Sequence, residues 1–264
     1  MFNEHPSFQA PANSNVSIWR YMDLTKFLWM LQEKALFFTR ADFLGDPYEG
    51  HYTEAIRIVE EQLANTILGG ETNSLKEAAA REHSRQYRER IAEMKRHLFV
   101  NCWHMNEAES SAMWKLYTSH HQSVCIQSNY RLLADQLPNS CMLGCVRYID
   151  YRSDLISPAN ALNYINCKRR SFEHERELRA VIWDLEKVND ANGIPKPIFS
   201  GKSIFRSGEE IGKVVPVAVE KLITSVLVSP ESDDLLLDVV QKVCDHYGLQ
   251  ARVTKSGVNA PPPY

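Results

Sequence analysis

The densest run of reactive side chains lies between Lys168 and Arg179, in KRRSFEHERELR. If that segment is extended, Glu173, Glu175, Glu177 and Arg179 project from one face. Carboxylates crowded in this way raise one another's pKa, which suits acid/base chemistry. If it is helical, Glu175 and Arg179 form an ordinary surface pair four residues apart. A second grouping joins Trp19-Arg20-Tyr21 to Asp46-Pro47-Tyr48-Glu49. Two acids in a turn after a strand can orient a sugar hydroxyl or hold a cation. The plainer reading is that Asp46 caps the next turn or helix and Glu49 lies in its first turn. On a helix, Trp114, Tyr117 and Thr118 share a face that could stack on a planar ring such as a nucleobase or nicotinamide. They would equally serve as a core anchor with the tyrosine hydroxyl on backbone. The basic helix REHSRQYRERIAEMKRH could meet phosphates, but Glu82, Glu89 and Glu93 interrupt it, and a solvated face is the better reading. Cys102 with His104, and His120 with His121, match no zinc-ligand framework. No P-loop, GxGxxG or GxSxG motif is present, so nucleoside-triphosphate and serine-hydrolase readings have no support.

The elements that must position these residues are legible from periodicity. SIWRY (Ser17 to Tyr21) reads as a first strand, and Asp23 caps a helix whose buried face is Leu24, Phe27, Leu28 and Leu31. ALFFT (Ala35 to Thr39) is a strand leading into the turn ADFLGDPYEG. Residues 52–96 read as helical, with a break at Gly69-Gly70, a capping box at Ser74 and Glu77, and a stripe of Tyr87, Ile91, Met94 and Leu98. Strands are expected at His97 to His104, Ser123 to Ser128, Cys141 to Tyr151 with a break at Gly144, and Glu177 to Leu185. A short helix, AMWKLYT, precedes the second of these, and Ala159 to about Arg170 reads as helical. NDANGIPKPIFSGK reads as a loop or hairpin arm. VVPVAV and ITSVLVS are late strands. A final helix starts at Asp233 or Asp234 and stops at Gly248, and Gln250 to Lys255 makes a last strand.

Of the 264 residues, 44% are hydrophobic, enough for a sizeable core, and the net charge of −3 exerts no global pull toward nucleic acid or anionic membrane. No apolar run approaches the roughly 20 residues of a membrane helix, and the polar start lacks an export signal. The six cysteines form no CxxC pair and read as free thiols of a reducing, cytoplasmic compartment. The expected fold is mixed α/β (α+β): a central, largely antiparallel sheet flanked by helices, with a helical insert near residues 52–96. Residues 1–16 are expected to be a flexible lead-in, 17–256 a single domain and 257–264 a loose tail.

The ordered set of WRYMDL, the LFF strand, the Phe43 to Gly50 turn, the W-x-x-Y helix at Trp114 and Tyr117, VCIQS, Val146 with Tyr148, KR-x-SFEHE-x-ELR and ITSVLVSP resembles the bacterial family called domain of unknown function 2971. The resemblance spans roughly Ser17 to Ser256, and implies that these turns and junctions recur as features of one fold. A looser resemblance is to ADP-ribosyltransferase-like folds, carried by the order Tyr21, Tyr117, Glu175 or Glu177. That chemistry passes through an oxocarbenium-like state, which a carboxylate stabilises while an aromatic wall orients the leaving ring. The likeness implies NAD as a substrate and no metal. It implies Glu177 as the charge-stabilising acid, Glu175 as its partner, and Tyr117 or Trp114 as the stacking wall. It further implies Tyr21 as the strand anchor, Arg179 as a phosphate or carboxylate anchor, and Asp46 and Glu49 on the ligand side. The rival expectations are a non-enzymatic ligand- or protein-binding module in phage defence or stress response, and a nucleic-acid-acting protein using the arginine-rich helix.

Overall fold

The computed structural model describes residues 5–67, 73–118, 121–157, 160, 162–184, 202–206, 209–260 and 262. The Gly69-Gly70 break, residues 189–201 of the expected hairpin arm, Leu185, His120 and the Tyr87 and Ile91 side chains lie outside them. The elements are β1 (Ser17–Asp23), α1 (Leu24–Glu33), β2 (Ala35–Arg40), α2 (Glu54–Ile67), α3 (Asn73–Arg96), β3 (Leu98–Met105), α4 (Ser111–Tyr117), β4 (Ser123–Asn129), α5 (Tyr130–Gln136), β5 (Cys141–Cys145) and β6 (Arg147–Ile149). The chain continues through α6 (Leu162–Ile165), β7 (Cys167–Arg169), β8 (Glu177–Trp183), β9 (Lys202–Arg206), β10 (Glu209–Pro216), α7 (Val219–Leu222), β11 (Ser225–Val228), α8 (Asp234–His246) and β12 (Arg252–Lys255). No described helix is long and apolar enough to cross a membrane.

The sheet runs β12-β11-β4-β1-β3-β2-β10-β9, with β8 and then β5 added through β3. Its pairings are antiparallel except β11 with β12. Alternation builds it: Ile18 and Met22 of β1 face the main core with Leu36, Phe38, Phe99, Val124 and Ile126, and α1, α5 and α8 cover that face. Asp23 occupies the start of α1 without a side-chain cap bond, whereas Asp233 caps α8 by accepting from the Leu236 N–H at 3.0 Å. Gly248, at φ +70°, takes the left-handed position that ends α8.

One irregularity makes room for a site. β3 pairs with β1 only through Ile18↔Met105 and Trp19↔His104, and with β2 only through Thr39↔Val100 and Arg40↔Phe99. Both neighbours use the same edge of β3, because β8 takes the other along its length. The sheet therefore splits at Asn101, Cys102 and Trp103. The Asn101 side chain bridges the split, its amide donating to the Phe37 carbonyl at 2.8 Å.

Three expectations change. The stretch from Cys141 to Tyr151 is two elements, parting at Val146 rather than Gly144: β5 joins β8, while β6 pairs with β7 in a separate parallel ribbon. The helix expected from Ala159 shrinks to Leu162–Ile165, because the chain turns back to pair as β7 and then winds through a 3-10 turn, Arg170–Glu175. The lead-in is docked from residue 5 onward: Phe8 is buried, the Cys145 N–H donates to the Gln9 carbonyl at 2.8 Å, and Asn166 donates to the Ser7 carbonyl at 2.7 Å. Its seat is Gly144, which a lone apolar residue in a polar segment does not announce. A Cβ there would fall 2.5 Å from the Phe8 carbonyl carbon. We predict that Gly144→Ala costs about 1–3 kcal/mol by overpacking and speeds proteolysis ahead of Val16; unchanged urea midpoint and cleavage rate would show that this docking does not hold the segment.

Candidate functional site

In β8, period-2 alternation sends Glu177 and Arg179 to the same face, and Arg179 is fully buried (0% exposed). Its guanidinium grips Glu177 with two bonds, Nε to Oε1 at 2.6 Å and Nη2 to Oε2 at 3.0 Å. Nη2 also donates to Glu49, and Nη1 to the Ile165 carbonyl at 2.6 Å, which ends α6. The turn after β2 supplies Glu49, with Gly50 at φ +79° turning the chain and the Lys95 ammonium holding the Glu49 carbonyl at 2.8 Å. Asp46 sits beside it, accepting from the Tyr48 N–H at 3.0 Å and from Arg169 through both oxygens.

The left-handed backbone of Arg176 (φ 41°) turns the 3-10 segment into β8. It leaves Glu173 exposed but brings the Glu175 side chain into the buried group. Lys168, from β7, is the hub: its ammonium bonds Glu175, lies 3.2 Å from Glu177 and 3.7 Å from Glu49. An ammonium thus fills the place among three carboxylates where a metal cation would sit, and no metal-binding group is found among the described residues. Tyr117 donates its hydroxyl to Glu175 Oε1 at 2.6 Å. Three carboxylates therefore gather around Lys168 and Arg179, with the Lys95 ammonium close by on the Glu49 side.

The electrostatics follow from this packing. Burial pushes the Glu177 carboxyl up, but Arg179 and Lys168 outweigh it and hold it well below the usual carboxylate range. Burial lowers Lys168, but Glu177 and Glu49 more than reverse that, so it stays charged. Burial, and then Glu175, push the Tyr117 hydroxyl up, so it stays protonated and donates.

This group forms part of the wall of a cleft of about 970 Å³ seated in the split of the sheet. Tyr21, Asp46, Glu49, Tyr117, Glu175, Glu177 and Arg179 all line it. Trp114 does not: it is buried beneath, edge-on to Tyr21 with ring centroids 5.1 Å apart, its Nε1 donating to Glu109. Of the two aromatics expected as a wall, Tyr117 (44% exposed) is the one that borders the cleft. Tyr21 is a prop, accepting from the Ser110 N–H at 2.7 Å and so fixing the start of α4. Arg179, expected as a phosphate or carboxylate anchor, is bonded within the protein to Glu177, Glu49 and the Ile165 carbonyl. Glu49 lies in the turn that Asp46 caps, its N–H donating to the Asp46 carbonyl at 3.1 Å, and its carboxylate is an internal ion-pair partner of Arg179. Asp46 caps its own turn, as the plainer reading has it.

Three residues named in the sequence received no role at the site there. Lys168 was one of three consecutive cations, and nothing local distinguishes it. Arg20 lines the cleft where β1 has left β3, and among the described residues it makes no hydrogen bond or ion pair. Its guanidinium carbon lies 5.9 Å from the Trp103 ring centroid, and desolvation brings its pKa down to about 10, so it remains a cation. His104 stands opposite Glu177 across the β3–β8 pair.

Removing Arg179 strands two buried carboxylates, so Arg179→Met is expected to lower stability in urea by about 3–5 kcal/mol. Glu177 has a folded pKa below its unfolded value of about 4.3. Its contribution is thus fully present above that value and is lost as pH falls through the folded pKa. Glu177→Gln should flatten that part of the decline in urea midpoint below about pH 4.3; an acid limb as steep as that of the wild type would contradict the assignment.

Neither a family model nor a curated protein matches the chain, so the resemblance to domain of unknown function 2971 gains no support there. Among solved structures the chain is similar to one described as Thermus sp. 2.9 DarT in complex with ADP-ribosylated ssDNA, at 8% identity and a TM-score of 0.38, over 94% of this chain and 96% of that one. A likeness so loose carries no argument about activity, and the site has to be read from its own residues.

Proposed function

We propose that the cleft binds NAD and that the chain cleaves the bond between nicotinamide and ribose, passing ADP-ribose to an acceptor. The observation that carries this reading is the polarity of the cleft: a guanidinium with no carboxylate partner among the described residues, Arg20, and the cluster of Glu49, Glu175 and Glu177 line the same cavity. NAD is dipolar in the same sense, with a cationic pyridinium and an anionic diphosphate. Arg20 suits the diphosphate. The carboxylates suit the positive charge that spreads onto the ribose as the bond breaks. A volume of about 970 Å³ is at the upper end for small-molecule sites, in keeping with a dinucleotide.

Within the group, Glu175 is the acid that serves the substrate, which reverses the order expected for Glu177. Both oxygens of Glu177 are tied to Arg179 and Lys168. Glu175 is tied instead, one oxygen each, to Lys168 and to the half-exposed Tyr117, whose neutral hydroxyl is a weaker hold than a guanidinium. The arginine-rich face of α3 lends no weight to nucleic-acid binding, since Arg81 and Arg85 are paired with Glu77, Glu82 and Glu89.

The test is nicotinamide release by the purified chain. Wild type is expected to release it. Glu175→Gln should do so at least about a hundredfold more slowly, the scale of losing one charge-stabilising group. Arg20→Leu should chiefly raise KM. Absence of both release and thermal stabilisation by NAD would sink the proposal.

A further inference from the structure

We propose that His104 is the base of this site, taking the proton from the acceptor that attacks the ribose; this role rests on the NAD-cleaving reading above. His104 is 3% exposed, and its ring forms part of the cleft wall. Nδ1 lies 2.5 Å from the Glu175 carbonyl oxygen. A carbonyl only accepts, so Nδ1 carries the hydrogen and Nε2 keeps a lone pair. Nε2 is buried and, among the described residues, has no hydrogen-bond partner. A buried acceptor left unpaired costs about 1–3 kcal/mol, which a donor from a bound molecule would remove. Since Nε2 is shielded, that donor reaches it only when a wall side chain turns aside as the cleft fills.

The other titratable groups of the cleft are unsuited to the task. Burial keeps the Tyr21 and Tyr117 hydroxyls and the Cys102 thiol protonated. Arg20 and Lys168 are cations, and Glu49, Glu175 and Glu177 hold Lys168 and Arg179. His104 is left with an unused lone pair, on a ring that burial keeps neutral.

In the step, the O–H bond of an acceptor hydroxyl or water breaks and its proton passes to Nε2. The oxygen electron pair forms the new bond to C1′ of the ribose. The electrons of the C1′–nitrogen bond leave with nicotinamide, cancelling its positive charge. The imidazolium is steadied through Nδ1–H on the Glu175 carbonyl, and later gives its proton to solvent.

His104→Asn tests this, because an amide can replace the Nδ1–H bond to Glu175 while deleting the lone pair. NAD should stabilise the variant as it does wild type, with KM nearly unchanged and turnover reduced about 10²–10⁴-fold. Added imidazole should restore part of the turnover of His104→Ala, which a merely structural role would not allow. Should the variants fold poorly, the nitrogen NMR spectrum of the wild-type histidine reads the tautomer directly. A hydrogen on Nε2, or full turnover by His104→Asn, overturns the assignment of His104 alone. No nicotinamide release by wild type overturns the reading of the cleft, and the role of His104 falls with it.

Discussion

A guanidinium with no exposure must be answered by acceptors, and Arg179 obtains them from its own strand and from two other elements. Glu177 is two residues away on β8, Ile165 closes α6, and Glu49 lies in the turn after β2. Each acceptor fixes the element that carries it, and so the turn, the end of α6 and the start of β8 are held in one place. Two carboxylates on one arginine then demand a second cation, which Lys168 provides, and Lys168 draws in Glu175. Taking so many charges out of water offsets most of what their attraction gains. The network is better understood as a device for register than as a source of stability: any single deletion leaves an unanswered charge.

The cleft depends on a different constraint. A strand edge shared by two neighbours that then part leaves backbone groups to satisfy. Asn101 meets part of that need, donating to the Phe37 carbonyl and accepting from Trp103 Nε1 at 2.7 Å. The split is thus a stabilised feature and not a frayed edge. Its position decides which side chains border the cavity: Arg20 from the departing β1, Phe37 and Thr39 from the arriving β2, and Cys102 and His104 from the exposed stretch of β3.

Local pattern carried much of the fold. The amphipathic α1, the alternating β1 and β8 and the cap of α8 are each specified within a few residues, and the strands fall where β-branched and aromatic runs predict them. Glu175, Glu177, Tyr117 and Tyr21, grouped in the sequence only by the looser family resemblance, all border one cleft. Two kinds of fact were not legible in the sequence. One is tertiary override of local preference: the segment after Ala159 has helical character, yet pairing of β7 with β6 and the left-handed Arg176 decide its course, and Glu173 is turned away from the group it was expected to join. The other is which ion pairs form. Arg179 and Glu49 are 130 residues apart, and no spacing rule links them. The roles of Lys168, Arg20 and His104 depend on partners present or absent in space, which one-dimensional periodicity does not encode.

The arrangement of charge around the cleft has its own logic. Arg20 and the carboxylate group border the same cavity, yet they do not pair. If stability alone governed the site, a carboxylate would be expected to pair with Arg20 and offset its desolvation. Instead Arg20 is left to bear desolvation that lowers its pKa to about 10. Held apart in a partly water-excluded space, the two charges create a field across the cavity that neither solvent nor neighbours fully cancel. Such a field discriminates against a simple anion, which the carboxylates repel, and against a simple cation, which Arg20 repels. It favours a molecule whose own charges are separated in the complementary sense. Under the proposed NAD-cleaving reading, the cost of leaving Arg20 without a carboxylate is intelligible as preorganisation: the polar environment that bond cleavage needs would be in place before a substrate arrived.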